Sequence, residues 1–70
     1  MTNKQIYEEL LAAADSEIKQ WLKADKITPI EQALNYMPVV SGIARAALFL
    51  LPTDMYEKWK KEVKAMGGLI

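Results

Sequence analysis

The sequence predicts an all-α protein, a small single-domain fold that resembles a four-helix bundle, with a short second helix and an apolar third helix at its centre. Apolar residues recur every three or four positions along most of the chain, which is the spacing of one face of an α-helix. Proline, glycine and capping residues separate these stretches. We expect residues 1–70 to form a single helical domain. Its helices are predicted at about 3–23, 29–36, 39–51 and 54–66.

The first predicted helix begins with a capping box. Thr2 is the expected N-cap, and Gln5 follows three residues later, where its side chain can bond back to the Thr2 backbone. Beyond this start, apolar residues recur on one side and charged residues lie on the other. We therefore expect a long amphipathic helix that buries one side, with Trp21 facing inward.

The second predicted helix has the clearest local start signal in the chain. Thr28 can cap the helix, Pro29 suits its first position, and Glu31 completes a capping box. The helix is expected to end near Tyr36, because a proline biases the residue before it away from the α region. Pro38 is therefore predicted to separate the second helix from the third.

The third predicted helix, at about 39–51, is closed by Pro52, which cannot continue it. Arg45 is the sole charged residue between Pro38 and Thr53. A helix that is apolar on nearly all sides is normally central to a core. It is also shorter than the roughly 20 apolar residues that a membrane span needs.

The fourth predicted helix starts at Thr53 or Asp54, either of which can cap it, and stops at Gly67-Gly68. Its narrow apolar stripe places Trp59 inward, toward the other helices. Across all four helices, the candidate core residues are Ile6, Leu10, Ile18, Trp21, Leu34, Ile43, Ala47, Leu48, Trp59 and Val63.

The composition argues against an enzyme. The chain has no cysteine and no histidine, which removes thiolate and imidazole ligands and the most common general base. Nucleophilic catalysis needs an activated side chain beside a base, and the adjacent carboxylates of Glu8 and Glu9 diverge on a helix. We expect no catalytic residues, cofactor, metal site or small-molecule substrate. The lack of cysteine and of an apolar signal segment in the first ten residues favours the cytoplasm.

One side of the third predicted helix is the candidate interface. Ser41, Gly42, Arg45 and Phe49 group together on a helical wheel, and Ala46 follows Gly42 by four residues. Small residues at this spacing let a second helix approach closely, by analogy with membrane helices. An arginine beside an aromatic ring is typical of interface hot spots. The alternative is that this side packs beneath the first or the fourth helix.

These features favour a non-catalytic protein-protein interaction module that self-associates, because the chain is 51% hydrophobic yet short. One alternative is a small nucleic-acid-binding regulator resembling a helix-turn-helix protein, with lysines around Trp59 contacting phosphates. Acidic residues three or four positions from those lysines would dilute the positive field. Another alternative is a phage or mobile-element accessory protein that inhibits a host protein. Neither nucleic acid nor a membrane is the expected partner.

Overall fold

The computed structural model describes residues 2–23 and 28–67, which form three helices and no strand. The N-terminal helix spans Asn3–Lys23 and the C-terminal helix spans Thr53–Ala65. Between them, residues 29–50 wind without interruption into one central helix. The all-α prediction is confirmed for the described residues. That the whole chain forms a single domain stays a prediction.

Both predicted capping boxes have structural counterparts. At the start of the N-terminal helix, the Gln5 backbone N–H donates to Thr2 Oγ1 at 3.2 Å, and the Thr2 N–H donates to Gln5 Oε1 at 2.9 Å. At the start of the central helix, the Glu31 N–H donates to Thr28 Oγ1 at 3.1 Å. Side-chain oxygens thus satisfy N–H groups that have no partner within the helix.

The prediction of four helices is wrong, because the chain does not break at Pro38. The central helix consists of one α-helical turn at Pro29–Glu31, a π-helical segment at Gln32–Tyr36 and a regular α-helix at Met37–Leu50. Tyr36 keeps helical backbone angles, with φ −107° and ψ −44°. The second and third predicted helices are therefore parts of one element.

The position of Pro38 explains why the helix continues. Proline is tolerated in the first turn of an α-helix, where its missing N–H has no intrahelical partner to lose. Pro38 occupies such a place in the α-helix that follows the π-helical segment. π-Helical winding pairs residues five apart, so the backbone bonding can shift across this point. Pro52 acts as expected: Leu51, the residue before it, is extended, with φ −106° and ψ 146°.

The core lies between the three helices. Trp59 and Val63 of the C-terminal helix are fully buried, and the Trp21 ring meets the Tyr36 ring edge-on at 5.4 Å between centroids. The central helix contributes Val40 to this cluster. The buried residues are Tyr7, Ala14, Ile18, Trp21, Val40, Ala47, Leu51, Trp59 and Val63.

Most of the candidate core residues lie in or against this cluster, but two do not. Ile18, Trp21, Ala47, Trp59 and Val63 are buried, and Ile6, Leu10 and Ile43 are partly buried against them. Leu34 and Leu48 are 72% and 54% exposed, so their assignment to the core is wrong. The reason is the helix count. With two neighbouring helices instead of three, one side of the central helix is left uncovered.

Replacing Trp59 with alanine should destabilise the fold strongly. Its side chain is fully buried, and removing so large a core side chain typically costs about 3–5 kcal/mol. Phe49→Ala removes an exposed ring and should cost less than about 1 kcal/mol. Urea unfolding followed by circular dichroism, at low protein concentration, measures both. Similar losses for the two variants would contradict the assigned core.

Glycine substitutions at two positions should have opposite effects. Gly67 has a φ of +102° after the C-terminal helix, so Gly67→Ala should lose about 1 kcal/mol or more. Gly42 lies in the central helix, and a Cβ atom there would meet nothing within 4 Å. Gly42→Ala should therefore gain about 0.5–1 kcal/mol of monomer stability through helix propensity. The same unfolding measurement shows whether each substitution raises or lowers the free energy of unfolding. Of the predicted Gly67-Gly68 stop, Gly68 lies outside the described residues.

Candidate interaction surface

The uncovered side of the central helix carries a row of large apolar side chains. Val40 and Ala47, two turns apart, mark the buried side of its α-helical part. The opposite side is exposed from one end of the helix to the other. We call it the outer face, and it consists of Ile30, Glu31, Leu34, Asn35, Pro38, Val39, Ser41, Gly42, Arg45, Leu48, Phe49 and Leu50. Its large apolar side chains are between 42% and 79% exposed, with Phe49 the most exposed.

The candidate interface residues lie on this outer face, with one exception. Ser41, Gly42, Arg45 and Phe49 are exposed, while Ala46 is half-buried at its edge. Those four residues do not pack beneath either terminal helix, so that alternative is wrong for them. Exposure is a requirement for an interface and no more, and their role in binding stays a prediction.

Sequence reasoning missed the part of the outer face that lies before Pro38. Ile30 and Leu34 are strongly exposed and continue the apolar row toward the start of the central helix. The signal was present in the spacing, since Ile30, Leu34, Pro38 and Gly42 follow one another at intervals of four. Assuming a break at Pro38 divided this row between two helices and hid its length.

The chain as a whole exposes more surface than its mass requires. Its accessible surface is 4850 Å², whereas a compact monomer of this mass has about 4,400 Å². The molecule is elongated, with principal extents of 38 × 19 × 17 Å. The central helix, about 33 Å long at the usual rise per residue, runs along most of that length. The outer face is therefore a long strip and not a local cluster.

Charges are sparse on the central helix. Glu31 and Arg45 are its two charged residues, and both are exposed on the outer face. Neither forms a salt bridge within the described residues. The salt bridges found there lie on the terminal helices, with Lys19 2.9 Å from Asp15 and Lys60 3.8 Å from Glu57. The terminal helices pair their charges locally, whereas the central helix does not.

Apart from the outer face, the structure has a cleft between the N-terminal and C-terminal helices. It is a cleft of about 480 Å³ with Tyr7 in its wall, and the Lys58 amine stands 5.7 Å from the centre of the Tyr7 ring. The lining residues are Lys4, Tyr7, Glu8, Leu11, Met55, Lys58 and Glu62. Two lysines and two carboxylates balance each other, so the cleft has no dominant sign to attract a charged ligand.

Among the described residues, Tyr7 has a pKa that clearly departs from its ordinary value. Burial of the phenol, and secondly the neighbouring carboxylate of Glu62, raise the pKa of Tyr7 from 10.0 to about 12. Both effects disfavour the phenolate. The Tyr7 hydroxyl has no hydrogen-bond partner among the described residues, so Glu62 lies near it without reaching bonding geometry. The phenol of Tyr7 therefore stays protonated at physiological pH.

Two kinds of feature, metal-ligand groups and membrane spans, can be checked directly on the described residues. Within 2–23 and 28–67, no group of three or more acidic side chains is placed to hold a metal ion. In the same ranges, no helix is both long enough and apolar enough to cross a membrane. The arrangement supplies an apolar strip with two separated charges, which suits binding to another surface.

No family model, curated protein or solved structure matches the chain. Its function is therefore inferred from its own residues and their geometry.

The raised pKa of Tyr7 predicts a stability loss in strong alkali. A group whose folded pKa exceeds its unfolded value stabilises the fold fully below the unfolded pKa, here 10.0. That contribution is lost as the pH rises toward about 12. Tyr7→Phe lacks the ionising group, so from about pH 9 to about pH 11.5 it should lose less stability than the wild type.

Urea midpoints for both proteins at the two pH values measure this difference. Any other change with pH is common to both proteins and cancels in the comparison. If the difference in stability between the two proteins is the same at both pH values, the assigned environment of Tyr7 is contradicted.

Proposed function

We propose that this protein is a non-catalytic protein-protein interaction module that self-associates through the outer face of its central helix. The observation that supports the proposal is the set of large apolar side chains, 42% to 79% exposed, that lies toward the two ends of this helix. Monomeric soluble proteins rarely expose long contiguous apolar patches, and such patches commonly mark interaction sites. A second copy would remove these side chains from water.

The composition of the outer face supports this role. Phe49 lies four residues after Arg45 on the same side, so a large apolar ring and a planar cation can act together. Aromatic residues and arginine are enriched among residues that dominate binding energy. Interface centres are also depleted in charge, and the middle of this face, between Glu31 and Arg45, carries none.

The size of the outer face predicts a weak association. A strip about 33 Å long on a helix about 10–12 Å across presents roughly 330–400 Å² in projection. Stable interfaces bury about 800 Å² per partner, and smaller ones belong to transient complexes. Side chains that protrude from the helix, and contacts made by the flanking helices, would add to this projected area. We therefore expect a concentration-dependent dimer with a Kd on the order of micromolar.

Self-association fits the geometry better than nucleic-acid binding does. Trp59, which would have to stack on bases, is fully buried. Among the lysines around it, Lys60 is paired with Glu57 and also lies 5.4 Å from the Tyr56 ring. A host-protein partner would use the same outer face, and the solution mass separates that function from self-association.

The proposal predicts a dimer that dissociates on dilution. Light scattering coupled to size-exclusion chromatography, from about 1 μM to about 1 mM, should show the mass rising toward twice the 7.9 kDa of the chain. Phe49→Ala should weaken the dimer by about tenfold or more, because it removes the most exposed apolar side chain of the face.

The matched control is Leu22→Ala, which removes an equally prominent exposed side chain from the N-terminal helix. It should leave the dissociation constant within about twofold of the wild-type value. A wild-type protein that stays monomeric at the highest concentration would overturn self-association, and an outside partner would then be sought for the outer face.

A further inference from the structure

The two charges of the central helix are placed symmetrically about its proline. Glu31 lies seven residues before Pro38, and Arg45 lies seven residues after it. Fourteen residues of helix separate the two side chains by about 21 Å, which is too far for them to pair within one chain. They have opposite signs, and both are exposed on the outer face.

We propose that a second copy of the chain packs antiparallel on the outer face, with Pro38 at the two-fold axis, so that Glu31 meets Arg45 of the partner subunit. This inference rests on the proposed self-association and adds its orientation and register. In a two-fold dimer the same surface serves both chains, so each contact occurs twice. Two ion pairs thus flank an uncharged centre, one at each end.

Three further pairs on or beside the outer face are compatible with the same register. In this arrangement each residue lies opposite the one that is equally far from Pro38 on the other side. Leu34 then faces Gly42 of the partner subunit, and Ile30 faces Ala46 of the partner subunit. Asn35 faces Ser41 of the partner subunit, which pairs one hydrogen-bonding side chain with another. In two of these three pairs a large apolar residue meets a small one, and in the third a polar residue meets a polar one.

Gly42 gives independent support to the pairing with Leu34. A Cβ atom at this position would meet nothing within 4 Å, so packing inside the chain does not require a glycine. A glycine inside a helix is also unfavourable on its own. The space that it leaves open on the outer face would receive the exposed Leu34 side chain of the partner subunit.

A parallel arrangement is disfavoured by the same charges. In a parallel pair in register, Arg45 would face Arg45 of the partner subunit, and Glu31 would likewise face its own counterpart. Like charges held together across an interface are repulsive. The π-helical segment at Gln32–Tyr36 lies on one side of Pro38 alone, so it changes both the rise and the rotation between Glu31 and Pro38 from those of a regular α-helix. The exposure of Glu31 and Arg45, and not ideal helix geometry, is what assigns both to the outer face. The long and flexible Arg45 side chain can follow such a shift, since its donors reach over several ångströms.

Charge reversal with rescue tests this register in the full-length chain. Glu31→Arg and Arg45→Glu, made separately, should each raise the dimer Kd by about tenfold or more, because each change creates two repulsive contacts per dimer. Combining the two substitutions restores opposite charges at both contacts and should return the Kd to within about threefold of the wild-type value. Circular dichroism shows whether each variant keeps its helices.

An equimolar mixture of the two single variants supplies a second measurement. One chain then carries two positive charges at the paired positions and the other carries two negative ones, so a mixed dimer should form. The control is a mixture of Glu9→Arg with Lys64→Glu, exposed residues on the terminal helices that give the same net charges. The control mixture should show no gain over its separate components.

The outcomes distinguish the two proposals. A monomeric wild type overturns self-association and the antiparallel register together. A dimeric wild type that is insensitive to the single reversals, or that the double variant fails to restore, overturns the register alone and leaves self-association standing. Weakening by both single variants, rescue in the double variant and formation of the mixed dimer together establish the antiparallel register.

Discussion

The structure depends on how the backbone passes Pro38. A proline lacks the N–H that an α-helix needs at every interior position, yet residues 29–50 continue as one helix because a π-helical segment precedes it. A break at this point would have produced two short helices, each free to turn a different side toward the core. The unbroken helix instead has one orientation along its length. Its covered side meets both terminal helices, and its other side stays exposed from end to end.

Short sequence patterns predicted the structural features that depend on neighbouring residues alone. The capping boxes at Thr2 and Thr28 follow from residues three positions apart, and the extended Leu51 follows from the proline after it. Burial of Trp21 and Trp59 followed from periodicity, because each helix that carries them has one apolar side. In such a helix the pattern itself identifies the side that must face inward.

The same reasoning could not identify the covered side of the central helix. Its residues are apolar around most of the circumference, so periodicity shows which residues share a side but not which side has neighbours. Leu34 and Leu48 are as apolar as buried residues, and their exposure is decided by the number and placement of the other helices. The helical wheel did group Ser41, Gly42, Arg45 and Phe49, which are all exposed on the uncovered side, because this is the least apolar side of the helix. Its extension to Ile30 required knowing that Pro38 does not end the helix.

Both tryptophans belong to the folding core, and the outer face has none. Trp59 is completely enclosed, and Trp21 is nearly so, with its ring against Tyr36. Neither indole N–H finds a hydrogen-bond partner among the described residues, so both rings sit in an apolar environment. We therefore expect their fluorescence to depend on whether the chain is folded, and to change little if two chains bind through the outer face. Tryptophan emission would therefore report unfolding, whereas the proposed pairing of two chains through the outer face would leave both indole rings in their present surroundings.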